Sequence, residues 1–230
     1  MSLSKIFAAT VLSLAVASPA MAGQLVINGS TTVLPVMQKA GEAFMASHPD
    51  IQLSISGGGS GNGIKALMEG QCNIAMSSRD MKDKEKEACK AKNINPVRTT
   101  IAVDAIVPVV NPGNPLKEIT SEQLKDIYAG TITNWKDVGG KDQEIIAFQR
   151  RADSGSQTLF QKLLIQGGPL MEAPTELAPT AMGELVDSIA EYNNSANAIG
   201  FSVYYYIDQM YSKPGLRLLA VDGVTPSNET

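Results

Sequence analysis

The stretch Ser56-Gly-Gly-Gly-Ser-Gly-Asn-Gly-Ile-Lys65 lies between a segment with the alternation of a strand and one with the periodicity of a helix. Residues 51–55 alternate apolar and polar, and Ile64, Leu67 and Met68 recur at helical spacing. The stretch is therefore predicted to turn from a strand into a helix N-terminus. Glycines let the backbone approach a ligand, and helix N-termini carry unpaired N–H groups. The turn is a candidate anion-binding loop; a flexible connection without a ligand is the alternative.

Two nucleotide-binding glycine motifs fail on this stretch. The dinucleotide pattern GxGxxG needs a third glycine at position 62, which is Asn62. The P-loop pattern needs a lysine directly after Gly63, and Ile64 is there instead. Nucleotide binding is therefore not favoured.

Three other polar turns each follow a predicted strand and precede a helical pattern. They are residues 29–32, 77–80 and 150–158. In open α/β sheets, ligands bind beyond the carboxyl ends of strands. The last turn contains Arg151, whose guanidinium can hold an oxyanion through two parallel N–H bonds. Helix capping by Ser154 or Ser156, with Arg151 paired to Asp153, is a second interpretation compatible with the first. Together the turns predict an oxyanion site at helix N-termini.

The first 22 residues have the pattern of a secretory signal peptide. Lys5 gives a positive charge, residues 6–16 are apolar but too few to span a bilayer, and Ala20-Met21-Ala22 fits an A-x-A cleavage site. The mature chain is then expected to begin at Gly23 and to be exported and soluble, with an uncleaved anchor as the alternative.

Export gives the two cysteines a possible role. Cys72 and Cys89 could form a disulfide in an oxidising compartment, and two reduced cysteines are the alternative. With a single histidine, His48, they cannot build a typical zinc site. No metal or cofactor is predicted.

The composition fits a globular protein of one or two domains. Of the 230 residues, 43% are apolar and 18% are charged, which allows a sizeable core. The net charge of −4 does not indicate a nucleic-acid surface. An anion would therefore have to be bound by local geometry, against the overall charge.

The motifs form an ordered set along nearly all of the mature chain. In order they are Gly29-Ser-Thr-Thr-Val-Leu-Pro35, Gly58-Gly-Ser-Gly-Asn-Gly63, Ala75-Met-Ser-Ser-Arg79, the loop around Trp135, Arg151-Ala-Asp-Ser-Gly-Ser-Gln-Thr158 and Ala198-Ile-Gly-Phe201. This set resembles the PstS family, the periplasmic phosphate-binding proteins of phosphate ABC transporters. Each motif is weak alone, but their order and spacing are specific.

The resemblance implies an α/β fold of the type II periplasmic-binding-protein class, a clamshell of two lobes. Each lobe is expected to be a mainly parallel sheet flanked by helices. Lobe I would comprise residues 23–104 and 214–230, and lobe II residues 105–213. Family members continue for some tens of residues past a point like Thr230, so the chain is expected to lack the end that completes lobe I.

The resemblance also implies a set of phosphate ligands and no catalytic residue. The implied ligands are Thr31, Thr32, Ser60, Gly61, Ser78, Arg79, Arg151, Ser154, Gly155, Ser156 and Gln157. Ser78 lies where well-known members have an aspartate that accepts the proton of phosphate, so discrimination against sulfate is open. The last loop departs from the common Gly-Ser-Gly-Thr, so the register of its contacts is open by one position.

The resemblance further implies high-affinity binding of inorganic phosphate in the periplasm by a monomer that delivers it to the permease subunits of an ABC importer. Neither nucleic acid nor enzymatic activity is expected. One alternative is a same-fold binder of sulfate, molybdate or tungstate. A secreted serine hydrolase or phosphatase using Ser60 or Ser154 is less favoured, because only His48 could serve a triad.

Overall fold

The computed structural model describes residues 23–191, 195–227 and 229. The predicted signal peptide, residues 1–22, lies outside the described residues. Among the helices that the structure does describe, each is too short or too polar to cross a bilayer.

The first half of the chain forms a three-stranded parallel sheet with three helices. The elements are β1 (Gln24–Gly29), α1 (Leu34–Ser47), β2 (Gln52–Gly57), α2 (Ser60–Met68), β3 (Ile74–Met76) and α3 (Asp83–Ala91). The strand order is β2-β1-β3, and both pairings are parallel. Parallel neighbours need crossover connections, which α1 and α2 supply. The carboxyl ends of all three strands therefore share one edge of the sheet.

The second half contains a four-stranded sheet and a separate pair of strands. The elements are β4 (Ile106–Val110), β5 (Glu118–Ile119), α4 (Ser121–Ala129), β6 (Ile146–Ala147), α5 (Gly155–Leu163), α6 (Met182–Glu191), β7 (Ala198–Val203), β8 (Arg217–Leu218) and β9 (Ala220–Val221). The sheet order is β6-β7-β4-β8. Only β6–β7 is parallel within it, so this sheet is mixed rather than mainly parallel as predicted. Strands β5 and β9 form a parallel pair.

The main hydrophobic core lies in the second half. Phe160 and Phe201 stack with ring centroids 4.1 Å apart, and the buried Tyr128 hydroxyl donates to the Phe148 carbonyl oxygen at 3.1 Å. Trp135 is buried and donates from Nε1 to the Asn197 carbonyl oxygen at 2.9 Å. Trp135 therefore anchors its loop in the core.

Helix α4 begins as its sequence predicts. Thr120 accepts a hydrogen bond from the Gln123 N–H, and the Gln123 side chain accepts one from the Thr120 N–H. This reciprocal pair is the capping box that the Thr-Ser-Glu-Gln sequence indicates. Gly130 then ends the helix in the left-handed conformation.

Apolar side chains of the first half and of the crossing to the second are more exposed to solvent than those of the main core. The segment Ile74–Met76 is apolar in sequence and would suit a buried strand, but Ile74 of β3 is 43% exposed. Residues 94–105 cross from the first sheet to the second without helix or strand. Val97 and Val103 in this crossing are 88% and 93% exposed. These β-branched residues have the sequence of a strand but lack a paired neighbour.

The last strands differ from the predicted domain boundary. Strand β8 pairs with β4 and β9 pairs with β5, so residues 217–221 lie with the second half. The family resemblance implies that residues 214–230 belong to lobe I. Strands β8 and β9 are separated by the buried Leu219, whose N–H donates to the Pro108 carbonyl oxygen.

The two cysteines are separate. Cys72 and Cys89 are both buried free thiols, which agrees with the alternative of two reduced cysteines and not with the possible disulfide. The Cys72 thiol donates to the Gly63 carbonyl oxygen, 3.7 Å from its sulfur. Burial raises the pKa of Cys72, while a backbone hydrogen bond involving Asn28 opposes the shift. Both cysteines therefore behave as small buried side chains.

Candidate functional site

The polar turns of the two halves meet where α2 and α5 begin. Ser60, the first residue of α2, is fully buried, and its Oγ lies 3.3 Å from the Ser78 Oγ and accepts the Ser78 N–H at 3.1 Å. A Cβ placed on Gly155, the first residue of α5, would come within 2.9 Å of the Ser60 Cβ and closer still to both hydroxyl oxygens. Only glycine at position 155 lets the halves approach this closely.

Arg150 is a buried guanidinium held by neutral oxygen atoms. Its side chain donates to the Thr31 Oγ1 (3.1 Å), the Pro179 carbonyl (3.0 Å) and the Thr180 carbonyl (2.7 Å). The residue is 3% exposed, and Nη1 is buried without a hydrogen-bond partner among the described residues. Burial lowers the pKa of Arg150 to about 10, which the charge of nearby Glu184 partly opposes. The guanidinium thus stays charged at neutral pH, with one N–H group free.

Sequence reasoning selected the neighbouring arginine. Arg151 is exposed, and it lines an outer cleft of about 400 Å³ with Thr31, Asn62 and Asp153 among others. The buried guanidinium of this region is thus Arg150, and the role of Arg151 as the guanidinium contact, which the resemblance implies, stays a prediction. Neighbouring side chains of extended chain point to opposite sides, so the buried and the exposed arginine are one residue apart. The departure of the last loop from the common motif was the available signal.

Arg79 is buried in a different setting. Its Nη1 and Nη2 donate to the two carboxylate oxygens of Glu85, both at 2.8 Å, and Nη1 also donates to the Asp80 carbonyl oxygen. Only 4% of the Arg79 side chain is exposed. This bidentate ion pair directs the guanidinium towards α3. The structure thus does not place Arg79 with the other predicted ligands.

Two further predicted ligands make contacts within the protein. The Gly61 N–H donates to the Asp153 carbonyl oxygen at 2.9 Å, although its position at the start of α2 suggested an anion. The Gln157 Oε1 accepts the Arg150 backbone N–H at 2.6 Å, and its Nε2 donates to the Gln149 Oε1. Gln157 therefore supports the chain that carries Arg150.

The remaining predicted residues surround this region. Thr32, Ser154 and Ser156 are all buried, and the Ser154 and Ser156 hydroxyls are 2.9 Å apart. Ser154 also accepts the Gln157 N–H at 3.3 Å, which confirms it as the N-cap of α5. Thr31 from the first half contacts Arg150 and accepts the Met182 N–H from the start of α6 at 3.3 Å. The result is a set of hydroxyl groups and one charged donor between the halves.

This set of groups suits a small anion. Hydroxyls can donate or accept, and a buried guanidinium supplies charge-assisted hydrogen bonds. Within the described part of the chain, no three His, Cys, Asp or Glu residues lie close enough together to hold a metal ion. His48 lies at the far end of α1, where Nδ1 is 3.2 Å from the Phe44 carbonyl oxygen.

Comparison with known proteins identifies the family. The family model described as a PBP superfamily domain matches residues 15–216. A solved phosphate ABC transporter substrate-binding protein with bound phosphate, from Clostridium perfringens, is 36% identical with a TM-score of 0.73, over 90% of this chain and 79% of that one. The phosphate-binding protein PstS of Bacillus subtilis (strain 168) is 33% identical over 204 residues. The chain belongs to the PstS family of the PBP superfamily.

Further relatives of this PstS-family chain agree in fold. An ABC-type phosphate transport receptor from Vibrio cholerae is 30% identical with a TM-score of 0.64, over 89% of this chain and 79% of that one. The predicted fold class, an α/β periplasmic binding protein, is confirmed. The B. subtilis alignment covers 89% of this chain and 63% of its relative, so the chain spans less than two thirds of that protein's length.

Proposed function

We propose that this chain binds inorganic phosphate with high affinity between its two halves and delivers it to the permease of an ABC transporter. The single observation that carries the proposal is the buried Arg150, whose Nη1 has no partner among the described residues. Burying a charged donor without a partner is costly, so a ligand that supplies an anionic acceptor there restores the balance. The names of the relatives from C. perfringens and B. subtilis support phosphate as that ligand.

The binding mechanism follows from the position of the hydroxyl groups. Ser60 and Ser78 come from the first half and Ser154 and Ser156 from the second, all near the close contact at Gly155. An anion between them would exchange its water shell for hydroxyl and N–H donors while Arg150 supplies the charge. Because only the closed arrangement offers donors from both halves, the ligand would stabilise closure.

The division into lobes remains part of the proposal. Residues 23–104 would form lobe I, and lobe II would begin at about Ala105 and include residues 217–221, which pair with its strands. The signal-peptide pattern of residues 1–22 supports export to the periplasm. We infer a monomeric binding protein without enzymatic activity and without a nucleic-acid partner.

The geometry favours binding over hydrolysis. The Ser60 hydroxyl contacts another hydroxyl and a backbone N–H, and the Ser154 hydroxyl caps α5. A serine nucleophile needs an adjacent general base, whereas His48 contacts Ser47 and Phe44 on α1.

A second candidate is a binder of another oxyanion, and Ser78 favours it. A hydroxyl can donate to sulfate as readily as it accepts from protonated phosphate, whereas a carboxylate would reject sulfate. The Ser78 Oγ lies beside the Ser60 Oγ, so its choice of role can follow the ligand.

Isothermal titration calorimetry of the mature chain with phosphate, sulfate and molybdate tests the two candidates. We expect saturable binding of phosphate at one site and at least tenfold weaker binding of the other anions. Tighter binding of sulfate or molybdate would favour the second candidate. If a correctly folded protein, checked by circular dichroism, binds none of the three, the proposed function is wrong.

A further inference from the structure

Asp153 of the second half makes two contacts with the glycine loop of the first. Its carbonyl oxygen accepts the Gly61 N–H at 2.9 Å, and its carboxylate Oδ2 accepts Asn62 Nδ2 at 2.7 Å. A Cβ on Gly59 or Gly61 would lie 3.0 or 3.2 Å from that carbonyl oxygen. The glycines therefore make room for Asp153, in addition to any ligand.

The Asn62 side chain is already oriented by its own half. Nδ2 also donates to the Gly58 carbonyl oxygen at 2.7 Å, so both amide hydrogens have acceptors when the halves are together. The Gly58 bond fixes the amide rotamer in the first half alone. A preoriented donor loses little side-chain entropy when it meets a carboxylate, and the resulting hydrogen bond is charge-assisted.

The location of Asp153 requires an explanation on electrostatic grounds. The residue directly precedes Ser154, the cap of α5, and it lines the outer cleft beside Arg151. A carboxylate at the mouth of an anion site opposes the approach of the ligand. Its contact with Asn62, 91 positions earlier in the chain, joins the two halves and can offset this electrostatic disadvantage.

We propose that Asp153 and Asn62 form a latch that holds the halves closed and sets the rate at which the ligand leaves. Separation of the halves breaks both Asp153 contacts and withdraws Gly155 from Ser60 together. Both contacts must break before a bound ligand can leave, so their loss raises the dissociation rate. The link to ligand release rests on the proposed function; the closure itself does not.

Stopped-flow kinetics with inorganic phosphate test the pair in the mature chain. We expect Asp153→Ala and Asn62→Ala each to raise the dissociation rate about tenfold, as for loss of a charge-assisted hydrogen bond. Asp153→Asn keeps an acceptor oxygen for Asn62, so its dissociation rate should stay within about threefold of the parent. The double variant Asn62→Ala/Asp153→Ala should dissociate no faster than the faster single variant, because the two changes remove one bond. Unchanged single variants, or effects that multiply in the double variant, would overturn the latch.

A distance measurement separates the latch from the identity of the ligand. Spin labels on Glu42→Cys of α1 and Lys162→Cys of α5, both exposed, would report the separation of the halves in a Cys72→Ala/Cys89→Ala background. Without any ligand, Asp153→Ala should increase the population of long distances, while Asp153→Asn should not. If the parent binds no phosphate but this difference is seen, the proposed function fails and the latch survives. Identical distance distributions in all variants would refute the latch. Thermal melts identify any variant that fails to fold, and Asn62→Ala then replaces Asp153→Ala.

Discussion

Two arginines with buried side chains, Arg79 and Arg150, follow strands β3 and β6 in opposite halves. They differ in the charge of the groups that accept their hydrogen bonds. Arg79 gives both terminal nitrogens to the Glu85 carboxylate, so its charge is neutralised within the first half. Within the part of the chain that the structure describes, Arg150 donates to a hydroxyl and two carbonyl oxygens, and its Nη1 has no partner. A buried arginine that is neutralised by a carboxylate is structural; one that is solvated by neutral oxygens can bind an anion.

This difference has an energetic reason. A buried ion pair repays much of its desolvation cost when the geometry is bidentate. A buried guanidinium with neutral partners does not, and the lowered pKa of Arg150 reflects the same burial. The desolvation cost of the Arg150 guanidinium is offset when an anion binds. Part of the binding free energy therefore comes from relieving a cost that is already present in the unliganded protein.

The largest effect is expected from Arg150→Gln. Removal of this buried charge, whose Nη1 has no partner among the described residues, should weaken phosphate binding about 1,000-fold, or about 4 kcal/mol, as measured by calorimetry. The unliganded protein should melt no lower than the parent, since a costly buried charge is removed. The matched control is Arg151→Gln, which changes the same charge one residue away on the surface and should alter affinity less than threefold. Loss of binding in the Arg151 variant alone would reverse the assignment of the two arginines.

The next effect concerns stability. Arg79→Gln leaves Glu85 without its bidentate partner and should lower the free energy of unfolding by about 3 kcal/mol, as measured with urea. Phosphate affinity should change less than about fivefold, because both terminal nitrogens of Arg79 are engaged by Glu85. An Arg79→Gln protein of unchanged stability that no longer binds phosphate would show that Arg79 is a ligand.

The smallest effect is a difference in acid stability. Burial favours the protonated form of Glu85, but the hydrogen bonds and charge of Arg79, together with the Lys82 N–H, lower the pKa of Glu85 overall. A lowered folded pKa stabilises the protein above the unfolded value of about 4.3, and the contribution is lost as pH falls through the folded value. The stability difference between the parent and Glu85→Gln should thus be constant above about pH 5 and shrink at pH 3. A difference of equal size at pH 3 and pH 7 would contradict this.

Much of the fold could be predicted because it depends on local sequence. The turns at 29–32 and 56–60 join a strand to a helix where small polar residues follow an apolar segment. The capping box at Thr120 is likewise encoded within a few residues. The family resemblance rested on the order of such junctions, and the comparisons bear it out.

The parts that could not be predicted depend on contacts far apart in sequence or on a register of one residue. Arg150 and Arg151 are adjacent residues of the same type, so the sequence does not distinguish them. Arg150 is distinguished by its hydrogen bonds to Thr31 and to the carbonyl oxygens of residues 179–180. The Gly61 N–H appeared free for an anion because the Asp153 carbonyl that accepts it is contributed by the other half. Sequence predicted which loops meet but not which atoms were already paired.

The exposed crossing at residues 94–105 has a consequence for how the halves find each other. Among the described residues, the chain passes from the first sheet to the second once, through these 12 positions without helix or strand. A stretch of that length can extend to about 40 Å, and a linker this short gives the two halves an effective concentration of about millimolar. The halves are then comparable to two tethered binding partners, and the contacts between them determine how often they are closed. An interface with a millimolar dissociation constant between separate fragments would be formed about half of the time, so each additional hydrogen bond across the cleft shifts the closed population directly.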